Sequence, residues 1–169
     1  MVVGAHDMSK APIATWCADY KTVESALWTL RGTPHPNGPF IGVLRGDKMR
    51  QRAGLFDHFG ALLQFPIYFG ENWNAFRDCV ADLEWLRADA FLLVVLDAEQ
   101  LLADAEADEL GVLISSLRDA ANAMRTPMPP NEPKPFRVLL HAAPPRLAEL
   151  KARLEASGVP VPDIETSSP

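Results

Sequence analysis

Apolar positions along the chain follow two rhythms. Phe40-Ile41-Gly42-Val43-Leu44, Phe91 to Leu96 and Phe136 to His141 are short, nearly continuous apolar runs. That is the pattern of strands buried on both faces, and so of a parallel sheet. Elsewhere apolar residues recur every three or four positions, as on one face of an amphipathic helix. Val23, Leu27 and Leu30 set such a face over about 19–30. Leu55, Phe56, Phe59, Leu62 and Leu63 set a second, which Pro66 ends. Trp73, Phe76, Val80 and Leu83 set a third. Leu110, Leu113, Ile114 and Leu117 form the stripe of an acidic helical stretch over 98–123, with Asp104, Glu106, Asp108, Glu109 and Asp119 on its exposed side. Pro144-Pro145 opens a last helix carrying Leu147, Leu150 and Leu154.

The order strand–helix–helix–strand–helix–strand–helix predicts an α/β domain, a small three-stranded parallel sheet covered by helices. The chain then divides into an N-terminal extension with one helix (1–38), the domain itself (39–142), and a C-terminal helix with a loose tail after Gly158 (143–169). A breaker cluster, Gly32 to Pro39, joins the extension to the domain as a stiff turn. Five prolines within 126–135 predict an exposed, irregular loop, because proline removes a backbone donor and fixes φ. Asp97 and His141 are expected at the carboxyl ends of two parallel strands, since a helix lies between them as a crossover.

Composition narrows the chemistry. The 169 residues are 48% hydrophobic, enough for a core without disulfide or metal staples. A net charge of −6 argues against a nucleic-acid partner and leaves room for a basic one. Cys17 and Cys79 are too few for a disulfide framework and match no CxxC motif. No apolar run is long enough to span a membrane, and MVVGAHDMSK lacks the charged-then-apolar order of a signal peptide, so a cytoplasmic protein is expected. No nucleophile elbow, P-loop, GxGxxG, HExxH or paired-Cys motif is present. Of the four histidines, His141 sits at a strand end, where open α/β sheets place ligands; a deep pocket around it would signal an enzyme. The expectation is a binding protein without catalytic residues, cofactor, metal or small-molecule substrate.

The helix at 73–83 turns Trp73, Phe76, Val80 and Leu83 inward, against the sheet, and leaves Asn74, Arg77, Asp78 and Ala81 on the opposite flank, beside the Tyr68 loop. Gly70 marks a loop position suited to positive φ, and the polar residues after it suit the first amides of the helix. Cys79 lies near the apolar side as an inert core thiol.

The stretch P-x-Y-x-G-E-N-x-x-A-x-x-D-C, from Pro66 to Cys79, resembles the signature of the barstar family, intracellular inhibitors of a secreted microbial ribonuclease. The order of strands and helices resembles that family over residues 41–142. The resemblance implies an immunity or antitoxin protein that blocks the active site of a basic ribonuclease, a carboxylate on a rigid helix taking the place of substrate phosphate. Its implied partner-binding residues are Tyr68, Asn72, Asn74, Arg77, Asp78, Ala81 and Asp119. Asp78 takes the phosphate-mimicking position, Tyr68 that of the loop aromatic, and Asp119 that of a second-line acidic contact. Asn74 stands where the family's well-studied member has Asp, and Arg77 where it has Trp. The helix face thereby goes from two negative charges to none net, and the acidic run from Asp97 to Glu109 is the candidate replacement for the lost steering charge. A barstar-like module with a non-ribonuclease partner is the alternative.

Overall fold

The computed structural model describes residue 7 and residues 9–32, 39–127 and 131–164. The breaker cluster at 33–38, the centre of the Pro-rich stretch at 128–130 and the tail from 165 lie outside the described residues.

The chain forms β1 (Ile13–Cys17), α1 (Tyr20–Arg31), β2 (Phe40–Arg45), α2 (Arg52–Leu63), α3 (Trp73–Asp82), β3 (Phe91–Leu96), α4 (Glu109–Arg125), β4 (Phe136–Ala142) and α5 (Leu147–Ala156). The sheet has four strands rather than the expected three, in the order β1-β4-β3-β2, all parallel. The added strand comes from the N-terminal segment. Ile13-Ala14-Thr15-Trp16-Cys17 pairs with β4 from Val138 to Ala142, and its first four residues are buried. Asp97 and His141 lie at the carboxyl ends of two parallel strands, as the crossover helix requires.

Chirality sorts the helices. The path β2→β3→β4 steps across the sheet in one direction, with α2 to α4 between the strands. The step β1→β2 runs back the other way, so a crossover of the same hand must put α1 on the opposite face. The side chains obey. Phe91, Leu93 and Val95 of β3 face a large front core with α2, α3, α4 and α5. Leu92 and Val94 face a smaller back core with Trp16, Val23, Ala26 and Leu27. A ladder of Phe40, Phe91 and Phe136 crosses three strands on the front, with ring centroids 5.8 and 6.3 Å apart. Each fully buried large side chain of this kind contributes roughly 1.5–3 kcal/mol.

Three local expectations are corrected. The long helix starts only at Glu109, and 98–108 is a 3-10 turn followed by irregular turns. Backbone amides there are committed elsewhere, Leu102 to the carbonyl of Met49 and Asp104 to that of Arg50. Glu109, expected on the solvent side, is buried against Arg52 at 2.9 Å. The tail is not loose over its described part: the Thr15 amide donates to Pro162 and the Ile164 amide to Thr15, so the segment extends the sheet beyond β1. The described residues of the Pro-rich stretch carry no regular structure, and 131–133 are exposed. Pro135 nevertheless accepts from the Phe91 amide, and Lys134 donates to Met124.

Candidate functional site

The loop between α2 and α3 is built on aromatic anchors. Gln64 closes α2 in the left-handed region, and the chain then turns through Pro66–Phe69, with the Phe69 amide donating to the Pro66 carbonyl at 2.9 Å. Phe65 and Phe69 point inward, 4.9 Å apart, and Phe69 packs edge-on against Phe56. The two residues at the middle of the turn have nowhere to go but solvent: Ile67 is 106% exposed and Tyr68 78%. Ile67 escaped the sequence reading. Its signal is an apolar residue directly after a proline that marks a loop, since connecting segments run over the surface.

Asn72 then caps α3. Its Oδ1 accepts from the Ala75 amide at 3.0 Å, and its Nδ2 donates to the Gly70 carbonyl at 3.1 Å. Gly70 does not take positive φ; Glu71 does, at 48°. Gly70 serves close approach instead, since a Cβ there would lie 3.0 Å from the Asn72 amide nitrogen.

Helix α3 packs against α4, and it meets α2 through its aromatic face rather than lying on the sheet as expected. Phe76 touches the rings of Phe56, Phe59, Phe65 and Trp73. Phe76, Cys79 and Val80 are buried, while Asn74, Arg77 and Asp78 are exposed. None of Tyr68, Asn74, Arg77, Asp78 and Asp119 makes a side-chain hydrogen bond or ion pair among the described residues. Burial pushes the Cys79 thiol up, helped by the neighbouring carboxylates of Asp78 and Asp82, so it stays protonated and inert. Ala81 is half-buried at the lip of a cleft of about 540 Å³ shared with Asp82, Glu84, Met124 and Glu132. Asp119 is exposed on α4, the helix against which α3 rests. Loop and helix thus bring Tyr68, Asn72, Asn74, Arg77 and Asp78 together on one rigid unit.

The acidic run carries less free charge than its composition suggests. Arg50 grips Asp104 through two hydrogen bonds of 2.7 and 2.8 Å, which hold that carboxyl below its ordinary range. Arg52 compensates Glu109.

The crevice at the carboxyl end of the sheet is filled. β1 and β4 are neighbours whose following helices lie on opposite faces, the arrangement that opens a ligand crevice in other α/β sheets. Here His141 is fully buried in it, its Nε2 against the Ala18 carbonyl at 2.9 Å and its ring beside Trp16 and Tyr20. Tyr20 in turn donates to Asp97, which pushes its phenol up to about 12. No group of three or more His, Cys, Asp or Glu is placed to hold a metal ion among the described residues. No helix among them is long and apolar enough to cross a membrane.

A solvent-facing aromatic turn, a capped helix with one free carboxylate and a parallel sheet behind them are the features to compare with known proteins. The model of the barstar family, described as the barnase inhibitor, matches residues 40–141, more than half of the chain. The chain belongs to the barstar family. No curated protein matches it. The barstar match begins at β2 and ends within β4, so β1, α1 and α5 lie outside it.

Proposed function

We propose that this barstar-family chain is a cytoplasmic immunity or antitoxin protein that binds and blocks the active site of a basic ribonuclease with the Tyr68 loop and the outer face of α3. The observation that carries the reading is Asp78: an exposed carboxylate with no internal partner, fixed on a helix whose opposite side is locked by four aromatic rings. Such a group enters a phosphate site without giving up a hydrogen bond and without reorganising its own backbone. Tyr68 and Ile67 supply apolar contact beside it. The described N-terminal residues support the reading in one further way. α1 lies on the back of the sheet and does not cover α3.

Arg77 favours a second reading. It is exposed next to Asp78 and cancels its charge, so the same scaffold suits a partner that presents an acidic group there. Titration of wild type, Asp78→Ala, Asp119→Ala and Arg77→Ala against a basic ribonuclease, at low and moderate salt, separates the two. For the inhibitor, Asp78→Ala costs about 2–5 kcal/mol, Asp119→Ala mainly slows association, and Arg77→Ala tightens binding or leaves it unchanged. Asp78→Ala binding like wild type overturns the phosphate-mimic reading. Arg77→Ala weakening the complex selects the partner with an acidic contact.

A further inference from the structure

The back of the sheet is underfilled. Among the described residues, the back of the four strands is covered by a single helix, α1, whereas the front core draws on four, α2 to α5. Ile41 and Val43 on the back of β2, and Leu96 at the end of β3, are only half-buried. β2 is also an edge strand, paired among the described residues with β3 alone. Between α1 and these strands runs an apolar groove of about 530 Å³, walled by Val23, Leu27, Val43 and Leu96, with Tyr20 and Trp28 on its rim. Trp28 is 82% exposed, on a helix surface where nothing local requires an indole.

Charge decides the occupant. Glu24 and Arg31 line the same groove, four residues before Trp28 and three after it, and so share its stripe of the helix. Neither has an ion-pair partner among the described residues. A negative charge on one side of an aromatic and a positive charge on the other is self-complementary about a two-fold axis through that aromatic. Two antiparallel α1 helices crossing at Trp28 set Glu24 of each copy against Arg31 of the other, and bring the two indoles together beside the grooves. We propose that the occupant is a second copy of this chain, giving a two-fold dimer through α1 and the back of β2. Both α3 faces then point outward on the far sides of the two sheets, so the dimer forms whether or not the ribonuclease reading holds.

Sedimentation equilibrium of the full chain at about 100 µM, where interfaces of ordinary quality are populated, gives a dimer mass. Trp28→Glu weakens association at least about tenfold, as expected for a central aromatic anchor, and far-ultraviolet circular dichroism shows the fold intact. Glu24→Arg and Arg31→Glu each weaken it, and the double exchange restores it. A monomer in the wild type at that concentration overturns the proposal. So does a dimer that survives Trp28→Glu, or a double exchange no better than the single ones.

Discussion

The front and back of the sheet both expose aromatic side chains, on opposite foundations. On the front, Ile67 and Tyr68 stand on a turn whose neighbours Phe65 and Phe69 are packed into a ring cluster with Phe56 and Phe76. On the back, Tyr20 and Trp28 stand on one helix held by Val23, Ala26 and Leu27, with open apolar surface beside it. The front packs most of its apolar residues internally and presents polar chemistry, with Ile67 and Tyr68 beside it, on a stiff support. The back leaves part of its apolar area unspent. A surface of the first kind recognises a partner by placed charge and hydrogen bonds; one of the second kind associates by burial.

The largest effect that tests this contrast is on the front. Phe76 is fully buried among four rings, so Phe76→Ala leaves a cavity and costs about 3–5 kcal/mol in urea unfolding. Leu27→Ala on the back removes a side chain that is 9% exposed and borders the open groove. Its neighbours can settle into the space, so the cost sits near the lower end of the range for such changes, about 2 kcal/mol. Equal costs at the two positions would break the contrast between a locked face and an underfilled one.

These two faces were not equally legible in the sequence. β3 reads as an unbroken apolar run and β4 as a nearly continuous one, interrupted by Arg137, because both their faces are buried. β1 did not: alanine and threonine interrupt it, and five residues of mixed size read equally well as a loop. What makes Thr15 a strand residue is distant in sequence, its partners being Leu140 in β4 and Pro162 to Ile164 in the tail. Without β1 the tail reads as loose, since the edge it pairs with is not visible in the sequence. The α3 stripe was legible from its period, and the capping asparagine from its place before Trp73. Which element the stripe docks on was not, because helix periodicity specifies a buried face and not its neighbour. Positive φ falls on Glu71 instead of Gly70, and the glycine instead leaves room for the Asn72 side chain, a contact that only three-dimensional placement reveals.

A middle-sized test concerns how stiffly the front holds its polar chemistry. Asn72→Ala removes both the acceptor for the Ala75 amide and the donor to Gly70, for about 1 kcal/mol in chemical denaturation. Asn72→Asp keeps the acceptor and adds a negative charge at the helix N-terminus, so it recovers most of that loss. If the alanine variant is as stable as wild type, the loop is held by Phe65 and Phe69 alone, and the cap adds nothing to the support under Tyr68.

The smallest effect lies at the far edge of the sheet, where the tail closes on β1. Asp163 accepts from Lys151 at 2.6 Å and from the Thr15 hydroxyl, and these two bonds, the lysine's foremost, hold its carboxyl below the ordinary value of 3.8. A carboxyl with a lower pKa folded than unfolded stabilises the fold above the unfolded value, and that contribution disappears as pH falls through the folded one. The pair is largely exposed, so solvent screening keeps the effect below about 1 kcal/mol. It is local, and hydrogen exchange is the measurement that isolates it. The protection factor of the Ile164 amide, which donates to Thr15, falls as pH drops from about 5 to about 3, while amides of β3 keep theirs. Asp163→Asn removes the dependence on pH and leaves the tail at its acid level of protection throughout. An Ile164 amide whose protection ignores pH in the wild type would mean that the backbone pairing with β1 holds the tail unaided, and that the edge needs no charge to stay closed.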